Sequence, residues 1–308
     1  MFEIIKSNTK FNFVNKFGVA GVISAILVIG SLVLIGTKMK YGVDFRGGAE
    51  IQVKFQKTEN LDELRREMKA AGFNGVTIQT IGEPQMNEYL LKVSANEGNL
   101  NEVTEKVSQT LTTKYEKDGV EIRKVDIVGP KAGAELRKSG FLAMLWALLA
   151  IMIYVGLRFD FKYSPGAIVA LFHDVTIILG VFALTGTEFT LQTVAAILAV
   201  IGYSVNDTVI VYDRVREHEQ KFVGRDIKEH INNAINETLS RTILTSGTTL
   251  FVSATMFFVG GLAIRDFFMA ITLGVVVGTY SSNFVAAPVV LLFDKFRGEQ
   301  AKTADANA

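Results

Sequence analysis

Cysteine is absent from this 308-residue sequence, and tryptophan (one), histidine (three) and proline (four) are scarce. Without cysteine there can be no disulfide framework, cysteine-zinc site, iron–sulfur cluster or thiol catalysis, and nothing follows about redox compartment. A basic excess is missing too: 32 Lys and Arg stand against 31 Asp and Glu. That balance argues against nucleic acid as a partner, because phosphate backbones are met by clustered positive charge. The most informative absence is charge of either sign from six long stretches, 17–37, 141–157, 165–184, 189–211, 242–264 and 267–293. They hold 131 residues and two charges, Asp174 and Asp207, where proportion alone would place about 27. Such segregation excludes a soluble protein with one ordinary core.

A hydrocarbon layer about 30 Å thick takes about 20 helical residues to cross. Five of the six stretches reach that length, and 141–157 can borrow neighbours at either end. A membrane β-barrel would show short alternating segments instead. The first stretch is too long for a signal-peptide core, and Thr37-Lys38-Met39-Lys40 is no small-residue cleavage site. The sequence therefore predicts a polytopic α-helical membrane protein with six transmembrane helices. Span 1 is 17–37, and spans 2–6 fall within 141–293, between an N-terminal segment 1–16 and a tail 294–308. Lys and Arg crowd the N-terminal segment, the second-to-third and fourth-to-fifth loops, and the tail; the third-to-fourth loop has none and the fifth-to-sixth only Arg265. The positive-inside rule then puts both termini in the cytoplasm and the segment between spans 1 and 2 outside it.

That segment, 41–140, reads as a ferredoxin-like α+β extracytoplasmic domain. Ile51, Val53 and Phe55 alternate with polar residues as a half-buried strand. Asn60 starts a helix with Leu61, Leu64 and Met68 on one face, ended by Gly72. Strands follow at 76–81 and 89–93 around a Gly82-Glu83-Pro84 turn. A second helix starts at Asn99 with Leu100, Val103, Val107 and Leu111 as its stripe, and a last strand at 120–128 is broken near Lys124. The order β-α-β-β-α-β is the split βαβ pattern, which hosts many functions and assigns none.

Ionisable groups at membrane depth each need a reason. Asp207 stands near the cytoplasmic end of span 4, with Tyr203 and Ser204 on its own helix face and Asn206 just before it. It is either a buried polar group bonded to neighbouring helices or an ion- or proton-handling carboxylate. Arg241 opens span 5, and Thr245, Thr249 and Ser253 follow at four-residue steps as a polar stripe. Antiparallel spans 4 and 5 put Arg241 at a depth where it can pair with Asp207; the other reading is a cation reaching to the headgroups. His173 and Asp174 lie within span 3 as polar glue between helices or as part of a proton relay. Ala270, Gly274, Gly278 and Ser282 form a small-residue ridge on span 6, a packing surface for another helix. The charged stretch from Asp213, followed by apolar residues at helical spacing, reads as a short amphipathic helix on the cytoplasmic face within 213–241. Asp174 and Asp207 on neighbouring spans raise an intramembrane aspartyl protease, but the Gly-x-Gly-Asp sequence of that chemistry is missing.

Four motifs carry a resemblance: Gly42-Val43-Asp44-Phe45-Arg46-Gly47-Gly48, Ala170-Leu171-Phe172-His173-Asp174, Tyr203-Ser204-Val205-Asn206-Asp207-Thr208-Val209 and Ser240-Arg241-Thr242. With them, residues 10–297 resemble the SecD/SecF family of Sec preprotein translocase subunits, on its SecF side, within the resistance–nodulation–division superfamily. Residues 128–136 look like the family's segment before span 2, with Ala132 where valine is expected. The resemblance implies a non-enzymatic subunit of the bacterial cytoplasmic (inner) membrane, without cofactor. It implies pairing with SecD into a twelve-span unit, association with the SecYEG channel and with YajC, and use of the proton motive force to finish release of exported preproteins. Asp207 and Arg241 match positions the family ties to proton passage, and His173 and Asp174 match a family motif. The expected mechanism is that protonation of Asp207 weakens its attraction to Arg241 and lets spans 4 and 5 shift. The competing expectation is a proton-driven small-molecule efflux half-transporter of the same superfamily.

Overall fold

The structure is a computed structural model that describes residues 9–73, 76–81, 86–94, 100–115, 119–159 and 161–295. The expected turn at 82–84 and the expected cap Asn99 lie outside them. In chain order the elements are helix α1 (Phe17–Lys38), the short strand β1 (Lys40–Tyr41), α2 (Val43–Arg46), β2 (Gly48–Phe55), α3 (Leu61–Ala70), β3 (Thr77–Ile81), β4 (Glu88–Ser94), α4 (Leu100–Lys114) and β5 (Val120–Val128). Then come α5 (Pro130–Arg158), α6 (Ser164–Thr185), β6 (Glu188–Phe189), α7 (Leu191–Lys221), α8 (Ile227–Val259) and α9 (Leu262–Ser281). A π-helical turn over Ser282–Ala286 carries the last helix on through 287–295.

Six of these helices are long and apolar enough to cross a membrane: α1, α5, α6, α7, α8 and α9 with its continuation. They are not equivalent. The apolar windows of α6, α7 and α9 are 61%, 50% and 50% buried, those of α1, α5 and α8 only 17%, 22% and 17%. Three helices therefore form the inside of the bundle, and three present most of their apolar surface outward. Local sequence sets the ends. Pro130 opens α5, where its missing N–H costs nothing. Gly186, at φ 72°, stops α6. Thr190 and Thr193 form a reciprocal capping pair at the start of α7, and Asp226 caps α8 through the Lys228 amide.

Between α1 and α5 stands the small sheet domain. Its strand order is β3-β4-β2-β5, all neighbours antiparallel, which is the ferredoxin-like split βαβ arrangement read from the sequence. Asn60 accepts the Asp62 amide as the expected helix cap. Ile51, Val53, Phe55, Leu64, Met68, Ile78, Leu91, Val107 and Leu111 meet in one core. The expected break near Lys124 is a β-bulge: Gln52 pairs with Lys124 and Val53 with Ile122, leaving Arg123 as the extra residue.

Two expectations are corrected. The second membrane helix does not begin at Phe141; α5 rises from the sheet domain at Pro130 and runs unbroken to Arg158. The stretch 213–241 is not a separate helix lying on the membrane. It is the far end of α7, a turn, and the first half of α8. The apolar residues that suggested an interfacial helix, Ile231, Ala234 and Ile235, are buried against Val211, Tyr212 and Val215 of α7. They serve helix–helix packing.

Candidate functional site

The small-residue ridge of α9 faces α7 of the same chain. A Cβ on Gly274 would strike the Val200 side chain, and one on Gly278 would stand 3.0 Å from that of Ser204. Ala270 is fully buried, and Ser282, also buried, bonds back to the Thr279 carbonyl. This close approach carries polar side chains of α9 into the bundle, where Ser281 meets Asp174 and Thr279 meets Ser246, the partner of Asp207.

Asp174 is buried on α6. Its Oδ2 accepts from Ser204 Oγ of α7 at 2.6 Å and from Ser281 Oγ of α9 at 2.8 Å. Its Oδ1 lies 2.9 Å from His173 Nδ1. The His173 ring stacks on Tyr280 of α9 at 6.0 Å, and its Nε2 is buried without a hydrogen-bond partner among the described residues. Tyr280 in turn donates to the Ala20 carbonyl and meets Ser24 Oγ of α1, both at 3.0 Å. One carboxylate thus draws in four helices.

Asp207 is buried one turn from Ser204 on α7. Its Oδ2 accepts from Ser246 Oγ of α8 at 3.3 Å. Ser246 itself receives Tyr203 Oη at 3.3 Å and Thr279 Oγ1 of α9 at 2.7 Å. The two carboxylates therefore sit in one polar seam threaded by α7 and α9, each served by hydroxyls. A hydroxyl can donate to a carboxylate and accept from a carboxylic acid, so protonation of either aspartate reorients the hydroxyls beside it.

Arg241 does not complete this seam. Among the described residues no salt bridge joins it to Asp207, and the Arg241 charge reaches that carboxylate only through longer-range attraction. Ser246, the residue of α8 that does reach Asp207, is five positions further on, about 7.5 Å along the axis and on a different face. Arg241 instead lines an open cleft of about 420 Å³ with Arg158, Asp213, Arg214, Glu217 and Glu237. The stripe counted from it is only partly internal: the Thr245 and Thr249 hydroxyls return to their own helix backbone, and Ser253, though buried, bonds the Leu250 carbonyl. Counted from Thr242, the stripe gives Thr242, Ser246 and Ser253, which are the buried positions. Asn206 is exposed and takes no part in the seam's hydrogen bonds described above. Sequence reasoning passed over Ser246, Thr279, Tyr280 and Ser281. The adjacent hydroxyls at 279–282 inside an uncharged span were the available signal.

Comparison with known proteins bears on these motifs. The family described as "Protein export membrane protein SecD/SecF, C-terminal" matches residues 107–296, and the "SecD/SecF GG Motif" matches residues 32–59. The chain belongs to the SecD/SecF family. Curated relatives of that family include "Protein translocase subunit SecF" of Rickettsia bellii, 40% identical over 94% of this chain and 96% of the relative. Another is the protein of the same name from Desulfurispirillum indicum, 43% identical over 86% of each. Among solved structures, SecDF of Thermus thermophilus, described as a translocon-associated membrane protein, aligns over 95% of this chain with TM-score 0.81 and 32% identity. The chain spans about 40% of that SecDF chain. SecDF in a super-membrane-facing form aligns with TM-score 0.72 over 99% of this chain. The C-terminal match includes the five spans from α5 to α9 and the GG-motif match the Gly47-Gly48 pair, so both carboxylates and the hydroxyls that serve them lie within the matched region.

Proposed function

We propose that this chain is the SecF-side half of a SecD/SecF pair that uses the proton motive force to assist late-stage export of preproteins through SecYEG, with YajC as an associate. Supporting this reading are the family membership and the name its relatives carry. The observation that carries the proton step is the seam itself: two buried carboxylates on adjacent helices, both hydrogen-bonded to hydroxyls of neighbouring helices. In this reading the chain sits in the bacterial inner membrane with both termini and the Arg241 cleft on the cytoplasmic side and the sheet domain outside, an orientation that the distribution of Lys and Arg supports. It needs no cofactor.

Each charge crossing the membrane is worth about 2.3 kcal/mol per 100 mV, so a few protons can bias a two-state element by several kcal/mol. A proton arriving at Asp207 turns Ser246 from donor to acceptor and rearranges the Tyr203–Ser246–Thr279 hydroxyls that tie α7, α8 and α9. Arg241 acts one and a half turns away, holding a cation at the cytoplasmic mouth. The test is gradient-driven export in vesicles carrying the reconstituted SecD pair. Asp207→Asn and Asp174→Asn should assemble normally and lose the stimulation by an imposed proton gradient. Full stimulation in Asp207→Asn would sink the proposal. Normal export with drug sensitivity on deletion would favour small-molecule efflux instead.

A further inference from the structure

The stretch Gly42–Gly48 is remote from the buried carboxylates, and the proton reading gives it no task. Its contacts are specific. β1 pairs in parallel with β6, and the Gly42 amide donates to the Phe189 carbonyl at 2.9 Å. The Asp44 carboxylate accepts the amide of Leu191, the first residue of α7, at 2.9 Å. Thr190 already caps this helix through Thr193, so Asp44 serves an amide that the helix's own cap leaves open. An anion there also suits the positive end of the helix dipole.

Below this contact α2 is seated on the first turn of α5 with no spare room. A Cβ on Gly133 would stand 2.9 Å from the Gly47 amide nitrogen, and one on Gly47, at φ 79°, 2.8 Å from Pro130. Above it, Lys92 of β4 spans Glu50 of β2 at 3.5 Å and Glu188 of β6 at 3.2 Å. Burial opposes the Lys92 charge, and the fields of Glu188 and Glu50 outweigh it and raise its pKa. The sheet domain is joined covalently to α1 and α5. Asp44, the β1–β6 pair and Lys92 attach it to the start of α7, where Phe45 also packs, and β3 touches α9.

We infer that residues 42–48 together with Lys92 form a coupling piece that fastens the external domain to the outer end of α7, so that a displacement of the helix bearing Ser204 and Asp207 is delivered to that domain. The direction of energy flow rests on the proton-driven reading above; the attachment does not. Asp44 is a positioning residue that acts through the α7 backbone, and the property it supplies is an acceptor. Asparagine supplies the same acceptor and caps helices about as well; alanine does not.

The chain's lack of cysteine makes the test direct. Spin labels on Thr112→Cys, exposed on α4, and Ala195→Cys, exposed near the outer end of α7, report the distance between domain and helix in the full SecD pair in vesicles. The expected result is one narrow distribution, broadened in Asp44→Ala combined with Lys92→Ala and restored by Asp44→Asn with Lys92 intact. The alanine pair should keep proton uptake while gradient-driven export falls by about fivefold, the size expected for losing a cap-scale contact. An unchanged distance distribution in the alanine pair overturns the inference, and so does a parallel fall of proton uptake and export. If the unaltered pair moves no protons, it is the proton reading that fails, and the distance distributions still decide the attachment.

Discussion

Asp174 and Asp207 are served very unequally. Asp174 holds two serine hydroxyls and its neighbouring histidine, whereas Asp207 depends on Ser246, which also receives Tyr203 and Thr279. Ser246→Ala therefore strips three groups of a partner at once. It is expected to lower stability by about 1–3 kcal/mol, read from the thermal midpoint in detergent. Combined with Asp207→Asn it should cost clearly less than the sum of the two, since both act on one network. Outside the membrane, Glu67 of α3 is bonded by Lys114 at 2.8 Å and by the Tyr115 hydroxyl. Burial works against its ionised form, but these two donors outweigh it and hold the carboxyl below its ordinary value near 4.5. The folded state then binds fewer protons than the unfolded one in that window. The contribution is present above about pH 4.5 and is lost as pH falls through the lowered value. Urea midpoints of the sheet domain, followed by tyrosine near-ultraviolet signal, should drop more steeply between pH 5 and 3 in the parent than in Glu67→Gln. At this scale the two membrane carboxylates were legible because a charge inside an apolar run is costly and needs a partner or a task. Ser246, Thr279 and Ser281 were not, because a hydroxyl in a membrane helix can satisfy itself on its own backbone, as Thr248 and Thr255 do. Which hydroxyl turns inward depends on helix rotation, and packing fixes that.

The helices are set by where they can approach closely. α1 crosses α6 at Gly180, where an added Cβ would run into Ser31 down to its backbone, 2.8 Å from Cα. Gly180→Ala should force the helices apart at a cost of about 1–3 kcal/mol. Gly21, also on α1 but with open space at its Cβ position, should accept alanine within about 0.5 kcal/mol. Thermal midpoints of the two variants side by side make the comparison, and equal losses would remove close approach as the cause. The six spans and the β-α-β-β-α-β order followed from periodicity and charge, since burial imposes both directly. The continuity of α5 did not, because Lys131, Glu135, Arg137 and Lys138 make its first turns polar although Pro130 has already begun the helix. The register error around Arg241 has the same root. Counting four-residue steps from a conspicuous charge chose one face of α8, and the buried face starts one residue later, at Thr242.

At the scale of the whole molecule, the external domain rests on four of the six spans, two through the chain itself, α7 through the contacts around Asp44 and α9 through β3. The clamp residues were visible as a glycine-rich motif, but their partners at Glu188–Leu191 were not, because nothing local in sequence relates positions so far apart. That separation has a consequence for biogenesis. Asp44 and Leu191 lie 147 positions apart, and at a synthesis rate of about 5–20 residues per second the interval between them is roughly 7–30 s. Over the last part of that interval, after Ile122 completes its core and for roughly 3–14 s at the same rate, the sheet domain can fold while tethered only through its neighbouring spans. The junction must close afterwards, as α7 enters the membrane. In nascent chains arrested before residue 188, the domain should already resist protease as it does in the finished protein, while a label beside Asp44 should report a mobile base that becomes fixed only once the α7 segment has been made.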